Sequence, residues 1–362
     1  MTNFTLKPLP VDVDLETRAV LKKTASAHRY LAELKGMAAT IPNETILIST
    51  LTLQKAKDSS EIENIITTQD DLYKSELFSD FITSPAAKEV GNYATALQKG
   101  FAQVRKSRLL TINHILEIHE ELEQNDAGIR KLPGTELKNE QTGATIYTPP
   151  QNHEDIIRLM SNLERFMNDE TLTDLDPLVK MAVIHYQFES IHPFYDGNGR
   201  TGRIINILYL VAKGLLDIPI LYLSRYIISN KMEYYRLLQE VRDKGDWERW
   251  VLYMLEGVET TARQTIWLIQ SIKKIMMEYK HRIRNELPKI YSQDLLNNLF
   301  RHPYTKIEYL QNDLRVSRLT ATKYLQQLTE HGFLSKSKIG RYNYYINQLL
   351  MELFMDIPKQ QF

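Results

Sequence analysis

Twelve residues in the middle of the chain bring together the groups that could do chemistry. They run from His192 to Arg203 and supply an imidazole, a carboxylate, an amide, two guanidiniums and three glycines. Because a histidine titrates near neutrality, His192 can accept a proton from an attacking hydroxyl. Asp196 can hold Mg²⁺, since this ion prefers one or two carboxylates together with phosphate oxygens. The stretch therefore has the parts of a group-transfer site.

Two arginines of this stretch stand where a helix should disfavour them. Arg200 and Arg203 lie one turn apart at the predicted start of a helix, where the helix dipole opposes each cation by about 0.3–1 kcal/mol. A bound anion reverses the sign of that energy, and glycines let the backbone approach the anion closely. The pattern predicts a phosphate site, which would be lined by Gly197, Asn198 and Gly199 and neutralised by the two arginines.

A helix is predicted on each side of the stretch. Asp176-Pro177 is typical of an N-cap followed by proline at the first helical position. Pro193 disfavours helical geometry at His192, so the first helix should end there and place the imidazole at the mouth of a loop. The second helix carries an apolar stripe and should end at Gly214. The candidate residues are therefore expected on a loop held between two helices.

Other glycine-rich nucleotide motifs do not fit this sequence. Residues 197–202 match G-x-G-x-x-G, but a Rossmann fingerprint follows a strand, whereas a helical pattern precedes this one. The sequence contains neither a Walker P-loop nor the kinase catalytic-loop and D-F-G signatures. The sequence thus combines a base, a Mg²⁺ ligand, an anion-binding loop and two arginines. This combination predicts transfer of a nucleotide-derived phosphoryl group to a hydroxyl.

The same stretch resembles the full signature of the Fic (filamentation induced by cAMP) family, which is His-Pro-Phe-x-Asp-Gly-Asn-Gly-Arg-x-x-Arg, at every signature position. The resemblance extends over about residues 58–255, and residues 128–150 resemble the family's target-docking flap. It implies a protein adenylyltransferase that passes AMP from ATP, with Mg²⁺ as cofactor, to a Ser, Thr or Tyr hydroxyl. The target protein stays unknown, and 20 tyrosines leave self-modification open.

The resemblance also implies roles for individual residues. His192 would be the catalytic base and Asp196 the Mg²⁺ ligand. The nucleotide-binding set would be Asp196, Gly197, Asn198, Gly199, Arg200, Thr201, Gly202 and Arg203, with Tyr234, Tyr235 and Arg242 in the region that borders the base. Stacking on adenine is one interpretation of the two tyrosines, and core packing is the other. His185, Trp247 and Trp250 lie on apolar faces and are interpreted as core.

A second resemblance concerns regulation. Ser59-x-x-x-Glu63-Asn64 is similar to the inhibitory motif, Ser/Thr-x-x-x-Glu-Gly/Asn, of Fic proteins that carry their own inhibitory helix. In this interpretation Glu63 pairs with Arg203 and takes the place of the γ-phosphate of ATP, while Arg200 serves the phosphates alone. Ser60-x-x-Glu63 also satisfies a capping box, which would give these residues a purely structural role at a helix start.

Composition bounds the class of protein. The chain has 362 residues, 43% of them hydrophobic, which is enough for two or three domains and a large core. Acidic and basic residues balance at 45 each, so no overall field favours nucleic acid or membrane as the main partner. The absence of cysteine excludes disulfides, thiolate metal sites and a cysteine nucleophile. Because no signal-type or membrane-length apolar run occurs, a cytoplasmic protein without membrane contact is expected.

The helical periodicity predicts a mainly α chain, and the resemblance implies a Fic helical core with a β-hairpin flap. The flap hairpin is expected over residues 135–148, with its turn at residues 139–143. Four parts are expected along the chain: an N-terminal helical region over residues 1–110, a catalytic core over 111–255, a connecting helix over 256–286 and a winged-helix domain over 287–362.

The C-terminal part is predicted to hold three short helices and a hairpin with a turn at Gly340, which is the arrangement of a winged helix. From Arg315 to Arg341 it has six Lys or Arg residues against the single acid Glu330. Such a face suits phosphate contacts. Winged helices also serve in dimerisation and protein docking, so DNA, a partner protein and a second copy in a homodimer all stay open.

The leading interpretation is an AMP transferase that Glu63 holds mostly inactive. One alternative within the same class is removal of AMP, in which Glu63 would orient a water molecule at the modified hydroxyl. An alternative from another class is a transcription regulator, in which the helical body senses a nucleotide and the winged helix contacts DNA without needing His192.

Overall fold

The structure is a computed structural model, and it describes residues 5–41, 43–67, 84–138, 142–221, 223–339 and 342–356. The predicted flap turn at residues 139–141 and the predicted wing turn at Gly340 lie outside these ranges. Within them the chain is mainly helical, as expected. No helix among the described residues is both long enough and apolar enough to cross a membrane.

The secondary structure begins with a run of helices and includes two short antiparallel sheets. Its elements are α1 (Arg18–Ala38), α2 (Glu44–Ile62), α3 (Pro85–Ser107), α4 (Ile112–Glu123), β1 (Leu137–Lys138), β2 (Thr145–Tyr147), α5 (His153–Asn168), α6 (Pro177–Ile191), α7 (Asn198–Ala212), α8 (Leu223–Ser229), α9 (Lys231–Lys244), α10 (Trp247–Glu286), α11 (Gln293–Arg301), β3 (Tyr304–Thr305), α12 (Ile307–Leu314), α13 (Arg318–Glu330), β4 (Ser335–Ile339), β5 (Tyr342–Ile346) and α14 (Gln348–Asp356).

Internal contacts divide the chain into two compact units. The first comprises Met1–Ala32 and Leu53–Ala262, and the second comprises Glu33–Thr52 and Arg263–Phe362. Compactness does not by itself assign a role to a segment, so the four-part division expected from the sequence stays a prediction.

The core of the first unit is built around α6 and α7. Every residue of α6 from Leu178 to Ile191 is buried, and α7 is buried from Arg200 to Val211. α7 packs on α6, on α3 and on α4. Because a helix that is buried all round needs cover on every side, these neighbours fix α6 and α7 firmly. The two helices form the frame that holds the predicted site.

The ends of α6 and α7 follow the sequence signals. The Asp176 carboxylate accepts a hydrogen bond from the backbone N–H of Leu178 at 2.8 Å, which caps the start of α6. α6 ends with His192 as its C-cap, at φ 49°, directly before Pro193. α7 begins after Gly197, whose φ of 70° lies in the left-handed region that glycine tolerates. The predicted order of helix, loop and helix is confirmed.

The helix α2 is longer than expected. The sequence pattern ends near Lys57, but α2 continues to Ile62, whose side chain is buried and favours a further turn. The left-handed Asn64, at φ 62°, follows the helix end. The capping-box interpretation of Ser60 and Glu63 is wrong, because these residues lie at the end of a helix and not at its start.

The flap hairpin is present where it was predicted. β1 and β2 pair antiparallel, with Leu137 opposite Tyr147, Lys138 opposite Thr145 and a bulge between the two pairs. The Tyr147 ring is buried, and its hydroxyl donates a hydrogen bond to the Ser190 carbonyl at 2.8 Å. The flap is therefore attached to the last turn of α6.

The second unit contains a helix, a strand, two helices and a hairpin in the order α11, β3, α12, α13, β4 and β5. Its three strands form an antiparallel sheet with the order β3-β5-β4. The buried Tyr279 hydroxyl lies 2.8 Å from the Phe333 carbonyl and 3.0 Å from the Asn347 side-chain oxygen. This hydroxyl ties α10 to the chain on both sides of the hairpin.

Substitutions at two glycines of α3 test the close packing of the first unit. A Cβ on Gly100 would lie 2.6 Å from the side chains of Ile118 on α4 and Leu208 on α7, whereas a Cβ on Gly91 would meet nothing within 4 Å. We expect Gly100→Ala to destabilise the first unit by about 1–3 kcal/mol. Thermal unfolding should show a decrease in Tm of about 2–4 °C for each kcal/mol.

Gly91→Ala is the matched control on the same helix. It should leave the Tm unchanged or raise it slightly, because alanine favours a helix by about 1 kcal/mol over glycine. Equal effects of the two substitutions would contradict the close approach of α3 to α4 and α7.

Candidate active site

The loop between α6 and α7 is braced by its own side chains. The buried Asn198 amide accepts a hydrogen bond from the Phe194 backbone N–H and donates one to the Phe194 carbonyl, both at 2.9 Å. The Phe194 ring stacks on His119 of α4 at 3.7 Å, and His119 Nε2 lies 3.0 Å from the Asp196 carbonyl. The Asn198 side chain is therefore occupied in shaping the loop, and an anion at the loop would be bound by backbone N–H groups.

The fully buried Arg130 joins the base of the flap to the end of α6. Its Nε donates to the His192 carbonyl at 2.8 Å, and its Nη2 donates to the carbonyls of Ile191 and Pro150. Its backbone N–H donates to the Pro193 carbonyl at 2.9 Å. A cation at this place satisfies the last carbonyls of α6 and complements the helix dipole. Arg130 thereby fixes the backbone of His192.

The pKa of His192 is lowered to about 4. Burial is the largest cause, and the positive charges of Arg130 and Arg242 act in the same direction. The Glu189 carbonyl and the charge of Glu63 act in the opposite direction. The imidazole is therefore neutral at neutral pH and can accept a proton.

Asp196 is the acidic side chain of the loop and is exposed. Its Oδ1 accepts a hydrogen bond from the Gly197 backbone N–H at 2.7 Å. The other carboxylate oxygen faces no recorded partner among the described residues and suits a hard cation such as Mg²⁺. No cluster of three or more acidic or histidine side chains in the described part of the chain could hold a metal. A metal at Asp196 would take most of its ligands from phosphates and water.

The three glycines of the motif meet three different carboxylates. A side chain on Gly197 would collide with Glu123 of α4. A Cβ on Gly199 would lie 2.5 Å from Glu63 Oε1, and a Cβ on Gly202 would lie 2.5 Å from Glu189 Oε1. Gly202 is therefore a contact between α6 and α7 rather than part of the anion loop. Thr201, which was predicted to bind nucleotide, is buried inside α7.

Glu63 and Ser59 hold the second arginine of the motif. The guanidinium of Arg203 lies 2.7 Å from Glu63 Oε1 and donates to the Ser59 hydroxyl at 2.7 Å and to the Ser59 carbonyl at 2.9 Å. Arg203 is 2% exposed. Two of the three residues of the resembled inhibitory motif thus contact Arg203. The third, Asn64, accepts a hydrogen bond from Lys231 at 3.0 Å.

The expectation that Arg200 serves the phosphates alone is wrong for this state. Arg200 Nε lies 2.9 Å from Glu63 Oε2, so one carboxylate bridges both arginines. Glu89 at 3.1 Å and Glu123 at 2.9 Å also pair with this guanidinium, which is 3% exposed. The cause is spacing, since residues three apart on a helix present their side chains to one carboxylate. Three carboxylates therefore surround Arg200.

The residues expected near the base lie in different environments. Tyr234 is buried, and its hydroxyl lies 2.9 Å from His185 Nε2, so its placement supports core packing and not stacking on adenine. Tyr235 is 48% exposed, and its ring is accessible. Arg242 stacks on the Tyr147 ring of the flap at 3.9 Å and reaches the Ser190 hydroxyl at 3.3 Å.

The residues interpreted as core are buried. Burial, followed by the charge of Arg203, lowers the pKa of His185 to about 3, which makes it a neutral core histidine. Trp250 is fully buried, its indole N–H donates to the Ala182 carbonyl at 2.9 Å, and Trp247 is almost fully buried.

The polar residues at the site that were not predicted from the sequence include His119, Glu123, Arg130 and Glu189. Glu189 lies one turn before His192, and burial raises its pKa to about 7 against the opposing charge of Arg203. A carboxylate on a helix that is otherwise largely apolar is a signal that could have found it. The other three come from distant segments, so no local pattern connects them with the motif.

Three sequence models of known families match consecutive parts of the chain. The Fic/DOC family model matches residues 109–210, which contain the whole loop, α6 and all but the last two residues of α7. The Fic/DOC family N-terminal model matches residues 21–102, which contain Ser59 and Glu63. The chain contains a Fic domain. A third model, described as the C-terminal domain of the protein adenylyltransferase SoFic-like group, matches residues 275–350.

Curated relatives carry the name "Protein adenylyltransferase Fic". Those from Drosophila erecta and Drosophila yakuba are 30% and 31% identical to this Fic protein over 158 residues. Each alignment covers 44% of this chain and 30% of the relative. The chain thus spans less than a third of the length of these relatives.

Solved structures support the Fic fold. A Fic family protein from Desulfovibrio desulfuricans has a TM-score of 0.57 at 19% identity, with 94% of this chain and 98% of that chain covered. Fic-1 from C. elegans has a TM-score of 0.54 at 22% identity, with 68% and 71% covered. At these identities the likeness concerns the fold alone.

The charges around His192 generate a pH prediction. In an NMR titration we expect its imidazole to titrate near pH 4, with the signal assigned by His192→Gln. Arg242→Gln removes one of the two cations that oppose protonation, so the pKa should rise towards its usual value. Since the pKa in the fold is depressed, His192 should cost stability as the pH falls below about 6.5 and should cost none above it.

Arg236→Gln is the control on the same helix, because Arg236 pairs with Glu233 and Glu240 at the surface. This substitution should leave the pKa of His192 unchanged. A wild-type pKa near 6.5 would rule out burial and the two arginines as the dominant influences.

Proposed function

We propose that this Fic protein is an adenylyltransferase that transfers AMP from ATP to a Ser, Thr or Tyr hydroxyl of a target protein. The observation that carries the proposal is a neutral imidazole on a rigid loop, next to two buried arginines that a single carboxylate bridges. The first group can accept the proton of a hydroxyl, and the second pair can bind a polyphosphate.

The chemistry divides among the residues of the loop. His192 accepts the hydroxyl proton as the oxygen attacks the α-phosphate, and the bond from the α-phosphate to the departing pyrophosphate breaks. Backbone N–H groups from Gly197 to Gly199 stabilise the negative charge at the start of α7. Asp196 would hold Mg²⁺, which neutralises phosphate charge when bound.

In this proposal Glu63 inhibits the reaction because it pairs with the two arginines whose positive charge ATP requires. Its two oxygens lie 2.9 Å and 2.7 Å from the guanidiniums of Arg200 and Arg203. Separating a buried ion pair costs about 3–5 kcal/mol unless another charge replaces the partner. The outer phosphates of ATP must therefore displace Glu63 before the α-phosphate can be aligned for attack.

The target is proposed to dock along the flap. Leu132 and Ile146 are 68% and 47% exposed there, and Tyr195 of the loop is 50% exposed. The Tyr195 hydroxyl accepts hydrogen bonds from the backbone N–H groups of Lys131 and Leu132. An exposed apolar surface next to the base suits a peptide segment that carries the acceptor hydroxyl. Self-modification remains part of the proposal, as does a C-terminal winged helix that contacts DNA or a second subunit.

Two substitutions test the mechanism. His192→Ala should lower AMP incorporation from labelled ATP by about 10²–10⁴-fold, because the proton acceptor is lost. Glu63→Gly should raise incorporation at least roughly tenfold, which corresponds to about 1.4 kcal/mol of relieved competition. The measurement is incorporation into the protein itself and into a host lysate, with the modified peptides identified by mass spectrometry.

Glu61→Gly is the control for weakening the end of α2. It lies two residues earlier, in the last turn of α2, and its carboxylate pairs with Lys57 at 3.9 Å. A glycine there weakens the helix end by up to about 1 kcal/mol without removing Glu63. The control should stay inhibited. Equal incorporation by the His192→Ala and Glu63→Gly proteins would refute the mechanism.

Removal of AMP is a second candidate function. The charge of Glu63 acts to raise the pKa of His192, so the two groups interact electrostatically, and in this candidate Glu63 orients a water molecule at the modified hydroxyl. A target that carries AMP separates the two functions. Wild-type protein should release AMP and Glu63→Gly should not, whereas a purely inhibitory Glu63 would leave the modified target intact with both proteins.

A further inference from the structure

The second unit carries a pair of helices joined by a tight turn. α12 ends at Leu314, and Arg315 follows in the left-handed region at φ 53°. The Ser317 hydroxyl accepts a hydrogen bond from the Thr320 N–H at 3.2 Å and so caps α13. The two-stranded β4–β5 ribbon follows α13 directly. Helix, tight turn, helix and ribbon form the framework by which helix-turn-helix proteins present one helix.

α13 has one buried face and one face that points to solvent. Ala321, Leu325 and Leu328 are fully buried. The outward positions are Arg318, Leu319, Thr322, Lys323 and Gln326. Leu319 is 85% exposed at the first turn. This face combines cations, hydrogen-bonding groups and one apolar side chain, which are the groups that read base edges in a groove.

Among the described residues, most cations around α13 form no ion pair, although Arg318 lies 4.0 Å from Glu308, whereas two acids of α12 have partners. Arg315, Lys323, Lys336 and Lys338 form no ion pair within the part of the chain that the structure describes. By contrast, Asp313 of α12 accepts a hydrogen bond from Asn298 at 2.8 Å and lies 3.5 Å from Arg301. Glu308 lies 3.8 Å from Lys306. The free charge of this surface is therefore positive.

The ribbon extends the same charge beyond the helix. β4 alternates between half-buried serines and exposed lysines, with Lys336 and Lys338 at the exposed positions. Residues two apart on a strand point to the same side. Two free ammonium groups thus stand in one row beside α13.

We propose that the second unit binds double-stranded DNA, with α13 in the major groove and Lys336 and Lys338 on the phosphate backbone. An α-helix is about 10–12 Å wide with its side chains, which matches the major groove of about 12 Å. Arg318, Leu319 and Thr322 face the base edges at the start of α13, and Arg315 and Lys323 meet phosphates on either side. This activity is separate from AMP transfer.

A polyanion fits this surface better than a second copy of the chain does. The chain has 45 acidic and 45 basic residues, so its surface as a whole gives a second copy no electrostatic reason to gather here. A duplex offers one negative charge for about every 1.7 Å of its axis. Four free cations in one region match such a charge density, and each contact releases a counterion.

The test is binding of the full-length protein to a fluorescent duplex of mixed sequence, measured by anisotropy at several salt concentrations. Four phosphate contacts predict a slope of about −3.6 in log K against log salt, so the affinity should fall roughly 150-fold from about 50 mM to about 200 mM. Lys336→Ala/Lys338→Ala should make the slope less negative by about 1.8. Leu319→Ala should reduce preference for a duplex selected from a random library.

The matched control is Lys273→Ala/Lys274→Ala, which removes two exposed positive charges from α10 in the same unit. It should leave the slope unchanged. Each variant should keep its thermal unfolding curve and its level of labelled AMP, which separates this proposal from the proposed catalysis. Three results would overturn the proposal. The first is that the wild-type protein fails to bind the duplex at about 10 µM protein and low salt, and the second is that the control variant loses as much binding as the Lys336→Ala/Lys338→Ala variant. The third result is that the Lys336→Ala/Lys338→Ala variant changes self-association and leaves duplex binding intact.

Discussion

The positive charge of two buried guanidiniums requires the first unit to provide an anion beside them. Arg200 and Arg203 are 3% and 2% exposed, and they stand at the positive end of the α7 dipole. A buried charge without a partner costs several kcal/mol, so an anion has to accompany them in every stable state. In the structure that anion includes Glu63, and in the proposed reaction it is a polyphosphate. The proposed inhibition and the proposed substrate binding therefore satisfy the same electrostatic requirement.

This requirement explains why the end of α2 lies where it does. Ser59 and Glu63 are one turn apart, so one helix end contacts Arg203 with a hydroxyl, a carbonyl and a carboxylate. Arg200 differs, because Glu89 of α3 and Glu123 of α4 also hold it. Departure of Glu63 would leave Arg203 without a recorded anionic partner among the described residues, whereas Arg200 would keep two. The two arginines are thus unequal in what they gain from ATP.

Local sequence signals fixed much of the fold and the loop. Asp176, Pro193 and Gly197 each act within a few residues, and the helices begin and end where these residues require. Contacts between distant segments were harder to foresee. Glu123 and Arg130 reach the loop from about 60 residues away or more, and no spacing rule connects them with it. The position of Glu63 between both arginines depends on the path of α2. The helix predicted from the sequence ended before the last turn of α2, so this double contact was not predicted.

Arg130 also links the flap to the loop that carries His192. Its side chain holds the carbonyl of His192, its backbone holds that of Pro193, and its carbonyl meets His153 Nδ1 at 2.9 Å at the start of α5. Arg130 therefore holds the flap and the His192 imidazole in fixed positions relative to each other. If the flap binds a target peptide as proposed, the peptide would lie at a fixed distance from the proposed base, and the accuracy of that alignment would depend on a single buried side chain.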